Sequence, residues 1–356
     1  SQIKFVGKGS QTGVDNEIDC SGKTLLPGFV DSHTHLIFAG DRSQEFSARS
    51  RGEKYTAGGI TTTVAATRQA SNMDLQNNAQ RLLNEALSYG TTTVEIKSGY
   101  GLSLQHETKM LHAIVRAAQE FQGTVVPTAL LGQTVEGDVA AFTRMVVREL
   151  LPAVWHEFPG IAVEAVCAAD AWPVEACVRL FERAGKHGLP LRVSADSVAV
   201  TGMMAEALRL HLRSVDHLEN ASKADLVALA ASETFGVFTP AASFHGKSRY
   251  ARAGAFADSG GLVALASDYG VATAPTHAMP FVIALAVRYS GLTVAEAIAA
   301  TTVNAAAALG LNDRGTIEVG QRADLILLRH RDERLLAHEV GGNPVDLVVA
   351  GGVRVG

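Results

Sequence analysis

Two histidines separated by a single residue, His33 and His35, follow a mostly apolar run at residues 25–32. Residues two apart on a β-strand point to the same face, so two imidazoles with this spacing can bind one metal ion together. The same pair is also compatible with two polar residues at a strand end that have no catalytic role. A metal site therefore requires further donors elsewhere in the chain.

Two such donors occur later in the chain. His217 lies in VDHLE at residues 215–219, and Asp268 ends the apolar run VALASD at residues 263–268. A histidine in this position is more often structural, and an aspartate is often a helix cap or a turn residue. Their order along the chain after the first histidine pair favours a shared metal site. Imidazole and carboxylate ligands suit both zinc and iron, so the pattern does not distinguish these metals.

Short apolar runs alternate with longer amphipathic segments through most of the chain. This alternation predicts parallel strands joined by helical crossovers, and a (β/α)8 barrel fits it best. In that fold the catalytic residues gather at the carboxyl ends of the strands, where the candidate donors fall. The predicted strands are 91–96, 124–131, 162–166, 189–193, 213–215, 236–238 and 262–266, and the predicted helices include 105–121, 139–158 and 174–187.

The two ends of the chain have a different pattern. Residues 1–23 and 315–356 contain short β-like runs with glycine turns, among them 317–319, 324–328 and 347–350. We expect both ends to pair in one small β domain. The predicted division is a barrel at 26–314 and a composite β domain formed by 1–25 and 315–356.

The composition fits a globular enzyme, with 356 residues, 47% hydrophobic and 19% charged. The net charge of −5 and the lack of a basic cluster disfavour a nucleic-acid partner, so a small-molecule substrate is expected. Three cysteines do not form the pattern of a disulfide framework, which predicts a cytoplasmic protein. The sequence contains neither an apolar run of about 18 residues nor a secretion signal, so no membrane association is expected.

Several motifs together resemble the metal-dependent amidohydrolase superfamily and, within it, the imidazolonepropionase family of histidine degradation. The resemblance runs from about residue 26 to the C-terminus, and its most specific segments are FAGDR and VEIKSGYGL. The matching segments are PGFVDSHTHL at 27–36, FAGDR at 38–42, ATR at 66–68, VEIKSGYGL at 94–102, VDHLE at 215–219, SD at 267–268, TVNAA at 302–306 and GQRADL at 320–325.

The resemblance implies a mononuclear metal centre. His33, His35 and Asp268 would hold one zinc or iron ion, with His217 beside it. Asp268 would take a proton from the attacking water and pass it to the leaving ring nitrogen. His217 would stabilise the developing oxyanion. Lys97 resembles the carbamylated lysine of dinuclear relatives, but its sequence context matches the mononuclear branch.

The resemblance also implies a binding site for a carboxylate arm of the substrate. Arg42, with Tyr55 and Tyr100, would bind a propionate carboxylate, because a guanidinium fork matches a carboxylate in geometry and charge. The alternative roles are a surface salt bridge for the arginine and core packing for the tyrosines. A homodimer is also possible, since similar enzymes are often dimeric.

Three positions depart from the family pattern near the reactive ring. Ser194 replaces a third histidine ligand, Ser197 replaces an acidic or amide residue, and Thr134 replaces a substrate-binding histidine. His245 is a spare candidate for ring contact, although an ordinary loop histidine is the more frequent case.

The expected function is hydrolysis of a five-membered cyclic amide that carries a propionate arm, imidazolonepropionate or a close ring analogue. The departures keep two alternatives open. One is a paralogue that acts on a thio- or oxo-substituted imidazolone propionate. The other is a catalytically inactive, metal-free relative that binds a ligand.

Overall fold

The strands of the protein were located in a computed structural model, which describes residues 1–9, 13, 16–53, 58–169 and 171–355. The strands are β1 (Thr24–Pro27), β2 (Phe29–Asp31), β3 (Thr91–Lys97), β4 (Thr124–Gly132), β5 (Ala162–Cys167), β6 (Leu191–Ala195), β7 (Ser214–His217), β8 (Phe235–Phe238), β9 (Val263–Leu265), β10 (Leu325–Leu328), β11 (Val345–Ala350) and β12 (Val353–Val355).

The helices mostly follow the barrel strands along the chain. They are α1 (Ser43–Ser50), α2 (Ile60–Gln69), α3 (Asn72–Ser88), α4 (Leu104–Glu120), α5 (Val139–Met145), α6 (Leu151–Glu157), α7 (Val174–Gly185), α8 (Met203–Arg209), α9 (Lys223–Ala230), α10 (Pro240–Gly246), α11 (Ala253–Asp258), α12 (Met279–Tyr289), α13 (Val294–Ala300), α14 (Val303–Ala308) and α15 (Leu335–His338). Within the described ranges, no helix is both long enough and apolar enough to cross a membrane.

Strands β2 to β9 form one parallel sheet in chain order, eight strands within the described residues. The sheet curls into a barrel that closes between the chain after β2 and the chain after β9. The Asp268 N–H donates to the His33 carbonyl (3.1 Å), and the His35 N–H donates to the Tyr269 carbonyl (2.7 Å). These bonds, with a parallel bridge from Thr34 to Tyr269, join the two ends. The predicted (β/α)8 architecture is confirmed.

Local sequence explains where the main helices begin. Helix α3 starts at a capping box, in which the Ser71 hydroxyl accepts the Asp74 N–H and the Asp74 carboxylate accepts the Ser71 N–H. Helix α13 has the same arrangement between Thr293 and Glu296. In contrast, every residue of β3 is buried, as expected for a strand covered on both faces. Strand β3 is thus covered along its whole length.

The predicted helix at 139–158 is interrupted. A π-helical segment, Val146–Leu150, separates α5 from α6. Pro152 lies in the first turn of α6 and has no N–H to donate, which accounts for the altered hydrogen-bond register before it. The apolar periodicity had predicted a helix correctly but could not show this change of register.

The second sheet is antiparallel and has the strand order β1, β10, β11, β12. The N-terminal part of the chain contributes strand β1 to this sheet. The predicted boundary between the two domains, at residue 26, therefore falls inside that strand. The predicted β-run at 317–319 forms no strand, because the neighbouring backbone instead bonds to Ile3, through Ile3 N–H to Gln321 O (2.8 Å) and Gly320 N–H to Ile3 O (2.9 Å). The division into two domains itself stays a prediction.

Gly28, which joins the two sheets, offers a test of this packing. A Cβ added to Gly28 would lie 2.3 Å from Thr92 Oγ1 and 2.6 Å from Thr92 Cγ2. We expect Gly28→Ala to lower the free energy of unfolding by about 1–3 kcal/mol, as overpacking of a close-packed interior does. Urea denaturation followed by circular dichroism measures it.

Gly185→Ala is the matched control, because the nearest atom to its added Cβ is Leu191 Cδ1 at 3.7 Å, an ordinary contact. A Gly28→Ala variant as stable as the Gly185→Ala variant would contradict the described packing.

Candidate active site

The carboxyl ends of β2, β7 and β9 bring the predicted metal-binding residues together. His33 Nε2 lies 3.6 Å from Asp268 Oδ1, and His35 Nε2 lies 3.6 Å from the same oxygen. The rings of His33 and His217 have centroids 5.3 Å apart. Ligand atoms of His33, His217 and Asp268 all lie within 4.8 Å of one another. Side chains that are up to 235 positions apart in sequence therefore surround one point.

The donor atoms at this point lack hydrogen-bond partners. His33 Nε2 and both carboxylate oxygens of Asp268 are buried without such a partner among the described residues. Burial, followed by the charge of Lys97, holds the pKa of His33 well below its usual range, so its ring is neutral. A buried neutral imidazole beside an unpaired carboxylate is costly unless a further group binds both. Neutral imidazole and carboxylate are also the donors that zinc and iron accept, so these residues fit a divalent metal ion.

Two of these residues have strained backbones. His217 has φ of 83° and Asp268 has φ of 51°, both in the left-handed region that favours glycine. Such strain costs on the order of 1–3 kcal/mol for each residue and is concentrated at functional sites. At His217 it has a direct effect, because neighbouring residues on a regular strand point to opposite faces. The left-handed turn lets both Asp216 and His217 face the site.

Asp216 is a residue of the site that the sequence analysis missed. Its Oδ2 lies 2.6 Å from His33 Nδ1 and accepts a 2.8 Å hydrogen bond from Arg192 Nη2. Arg192 is itself buried and also donates to the Ser32 carbonyl (2.7 Å). With Nδ1–H bonded to the carboxylate, the lone pair of His33 Nε2 faces Asp268. The signal was present in sequence, since Asp216 and Ser214 are polar at a spacing of two.

His217 lies against a carboxylate of its own. Thr239 Oγ1 is 3.1 Å from His217 Nδ1 and donates to Glu219 Oε1 at 3.2 Å, and Glu219 Oε1 is 3.5 Å from His217 Nδ1. Burial disfavours the charged ring, but the Glu219 carboxylate raises the pKa of His217 to about 9. The Glu219 carboxylate thus favours the protonated, hydrogen-bond-donating form of the His217 ring. Glu219 and Thr239 are further site residues that the sequence did not single out.

Arg42 lines a cavity of about 740 Å³ beside the barrel opening. Its Nε donates to Glu45 Oε2 (2.6 Å), and its Nη1 donates to Thr63 Oγ1 (3.2 Å). The predicted carboxylate-binding guanidinium is thus already paired with Glu45, as in the salt-bridge alternative, and two of its five N–H groups make no contact within the described part of the chain. His245 lines the same cavity and stacks on Phe46, with ring centroids 4.8 Å apart.

Tyr100 lies close to the histidine pair, with its ring centroid 6.0 Å from that of His35. Burial raises the pKa of the Tyr100 hydroxyl, so this group stays protonated. The loop that carries it is held by buried Glu107, whose carboxylate accepts the N–H groups of Gly99 (2.9 Å), Gly101 (2.8 Å) and Leu102 (2.8 Å). Tyr55, the other predicted tyrosine, lies outside the described residues.

The three departures from the family pattern have separate surroundings. Ser194 is buried inside the barrel, and its hydroxyl donates to Glu164 Oε1 (3.0 Å). Ser197 lines a second cavity of about 520 Å³, and its carbonyl accepts the side-chain amide of Asn220 (2.7 Å). Thr134 lies where its carbonyl accepts the indole N–H of Trp172 (3.3 Å).

Comparisons with known proteins agree with this architecture. The model of the amidohydrolase family matches residues 24–355. The imidazolonepropionase of Herpetosiphon aurantiacus is 39% identical over 358 residues, which cover 95% of this chain and 83% of that protein. The imidazolonepropionase of Symbiobacterium thermophilum is 41% identical over 356 residues, which cover 96% of this chain and 84% of that protein.

A solved structure extends the likeness to the fold. Atrazine chlorohydrolase from Arthrobacter aurescens, in complex with zinc, has a TM-score of 0.74 at 17% identity, covering 99% of this chain and 88% of that chain. At this identity the likeness concerns the fold alone. With a family match over nearly its whole length and relatives about 40% identical, this chain belongs to the amidohydrolase family.

Proposed function

We propose that this protein hydrolyses the ring amide of a five-membered cyclic amide with a propionate arm, imidazolonepropionate or a close ring analogue. One divalent metal ion, zinc or iron, would serve as cofactor. The observation that carries the proposal is the set of buried, unpartnered donors around Asp268. The similarity to enzymes named imidazolonepropionase supports the choice of substrate class.

His33, His35 and Asp268 would hold the metal ion, with His217 beside it. When bound, a divalent ion supplies Lewis acidity, which polarises an amide carbonyl and lowers the pKa of a water molecule toward neutrality. Asp216 keeps the His33 lone pair directed at this point through the 2.6 Å contact with Nδ1.

Asp268 is suited to move the proton. Burial raises the pKa of Asp268 to about 7, so its carboxyl group can both accept and release a proton near neutral pH. It would accept a proton from the water that attacks the ring carbonyl and deliver it to the ring nitrogen as the C–N bond breaks. The cationic ring of His217 would donate a hydrogen bond to the carbonyl oxygen, which gains negative charge in the transition state.

Arg42 would bind the carboxylate of the substrate arm, with Tyr100 beside it and Tyr55 as a further predicted contact. Glu45 and Thr63 engage three of the guanidinium N–H groups in the contacts described, which leaves two for the carboxylate of a substrate. Arg42 also faces a cavity large enough for a small molecule. A cytoplasmic location is a further part of this proposal and rests on the cysteine pattern, whereas a homodimer rests only on the resemblance to similar enzymes.

A thio- or oxo-substituted imidazolone propionate is the second candidate substrate. It is favoured by the replaced residues Thr134, Ser194 and Ser197, because these are the positions at which the resemblance implies contact with the ring or the metal ion. In contrast, Arg42 and Tyr100, which are predicted to bind the carboxylate arm, lie in segments that match the family pattern.

Metal content and hydrolysis together test the proposal. Protein purified without chelator would be analysed by inductively coupled plasma mass spectrometry, then incubated with imidazolonepropionate and its thio and oxo analogues. We expect about one metal ion per chain and ring opening of one of these compounds, detected by mass spectrometry. Metal-free protein that binds a compound without opening it would support the inactive, ligand-binding alternative instead.

Asp268→Asn tests the proton transfer. The amide keeps the size of the side chain but cannot accept the proton, so we expect kcat to fall by about 10²–10⁴-fold. Steady-state kinetics measures it, with zinc or iron supplied in excess. Asp258→Asn, at the exposed end of α11, is the control and should leave kcat unchanged. Full turnover in Asp268→Asn would rule out this role.

Arg42→Gln tests the anchor for the carboxylate arm. Hydrogen bonds to a charged group are worth about 1.5–3 kcal/mol, so we expect KM to rise about 10- to 100-fold while kcat changes little. Arg49→Gln is the matched control, because Arg49 lines the same cavity without a role in the proposed anchor. Equal effects of the two substitutions would mean that the cavity attracts anions only through its overall charge.

Asp216→Asn tests the orientation of His33. Both contacts are made to Asp216 Oδ2, so an amide oxygen could still accept them, but the variant loses the negative charge that pairs with Arg192 and the Oδ1 acceptor of the Ser214 hydroxyl. We expect metal affinity to fall about 10- to 100-fold. Competition with a chromophoric chelator measures the affinity for zinc. A variant that keeps the wild-type affinity would show that Asp216 does not orient the donor.

A further inference from the structure

Ser194 and Glu164 form a buried pair on neighbouring strands of the barrel. The serine lies on β6 and the glutamate on β5, and the Ser194 hydroxyl donates to Glu164 Oε1 at 3.0 Å. Ser194 is 4% exposed and Glu164 is fully buried. The glutamate carboxylate therefore lies next to the position at which the resemblance implies a third histidine ligand.

The second oxygen of Glu164 belongs to a chain of buried charges. Lys97 Nζ lies 3.1 Å from Glu164 Oε2 and 2.9 Å from Glu95 Oε2, and all three side chains are fully buried. Arg192 Nε is 3.9 Å from the same Glu164 oxygen. The negative charge of Glu164 thus compensates the positive charge of Lys97 and part of the positive charge of Arg192.

Glu164 lies close to His33, one of the residues of the proposed metal site. Potential ligand atoms of Glu164, His33 and Asp216 all lie within 4.8 Å of one another. Lys97 and Arg192 are cations that oppose the approach of a divalent metal ion, whereas Glu164 and Asp216 are the carboxylates that offset them. Loss of the Glu164 charge would leave this side of the site more positive.

The space beside Ser194 is also determined by Glu164. An imidazole is several heavy atoms larger than the serine hydroxyl, and a protein interior is packed too closely to accept it without displacement of a neighbour. The group that contacts the hydroxyl is the Glu164 carboxylate. A histidine at position 194 would displace this carboxylate and disturb its ion pair with Lys97.

We propose that Ser194 and Glu164 form a matched pair, which means that each requires the other. The Glu164 side chain occupies the space that a histidine ligand at position 194 would need, and its negative charge raises the affinity of the site for a metal ion. Glu164 is a positioning residue here, since it is not assigned as a ligand. The inference rests on the proposed metal site, but it concerns metal affinity and not the identity of the substrate.

A cycle of variants tests whether Glu164 occupies the space that a histidine at position 194 would need. Zinc affinity is measured by competition with a chromophoric chelator. We expect Ser194→His alone to weaken zinc binding about 10-fold or more, the size of effect seen when groups that support a ligand are lost. Glu164→Asp withdraws the carboxylate by one methylene and keeps its charge. The double variant Ser194→His with Glu164→Asp should therefore bind zinc at least about 10-fold more tightly than Ser194→His.

Two single variants separate charge from size. Glu164→Gln keeps the size and the acceptor for Ser194 but removes the charge, so zinc affinity should fall about 10-fold. Ser194→Ala is the control and should change zinc affinity by less than about threefold, because it keeps the charge of Glu164 and removes a hydroxyl that contacts none of the proposed metal-binding residues. Unchanged affinity in Glu164→Gln would overturn the role of the charge.

Tighter zinc binding in Ser194→His alone, or equal affinity of Ser194→His with and without Glu164→Asp, would overturn the matched pair. If Ser194→His does not fold, zinc affinity cannot be compared, and thermal unfolding followed by circular dichroism is measured for the single and double variants instead. Recovery of a folded protein in the double variant then supports the pair, and failure to recover overturns it. If ring opening is never observed but the cycle behaves as expected, the proposed function fails and this inference stands.

Discussion

Closure of the barrel is the constraint on which the site depends. The segment after β2 carries His33 and His35, and the segment after β9 carries Asp268, so the donors meet only if these ends of the sheet join. The backbone bonds between His33 and Asp268 (3.1 Å) and between His35 and Tyr269 (2.7 Å) make this join at the position of the donors themselves. Beneath them, the N–H of Ser267 donates to the Asp31 carboxylate at 3.0 Å. The fold and the site thus share the same contacts.

The barrel interior contains an unusual amount of buried charge for a stable core. Lys97, Arg192, Glu95, Glu164 and Asp216 are all at most 1% exposed. Removal of such ions from water costs several kcal/mol for each, and only close pairing with complementary charges and hydrogen bonds offsets this cost. An apolar core of the same volume could be equally stable. Through Asp216, which contacts His33, this network of buried charges reaches the histidines at the end of the barrel.

Sequence patterns predicted the fold well because it depends on periodicity. Alternating strands and helices identify a parallel barrel, and the His-x-His spacing identifies a shared face, since both rules depend only on local geometry. The ends of the chain were predicted less well. Residues 317–319 have the composition of a strand, but their neighbours bond to Ile3, and no local rule could predict that contact.

Within the site, the sequence could identify the donors but not their supports. Asp216 was missed because its neighbour His217 was already assigned to the site, and adjacent residues of a regular strand face opposite sides. Only the left-handed backbone of His217 brings both inward. The surroundings of Ser194 were also beyond the sequence, because its partner Glu164 lies 30 positions earlier and becomes a neighbour only through strand pairing.

The candidate site contains buried groups whose hydrogen-bonding capacity is not satisfied within the described residues. The backbones of His217 and Asp268 are strained. Both carboxylate oxygens of Asp268 are buried without a hydrogen-bond partner among the described residues. Each of these features lowers the stability of the folded chain, and a ligand that satisfies them binds the folded state alone. Such binding stabilises the fold by an amount that grows with the logarithm of ligand concentration. Ligand binding and folding would thus be one linked equilibrium, and the buried carboxylates of Asp216 and Glu164 place negative charge beside the candidate site.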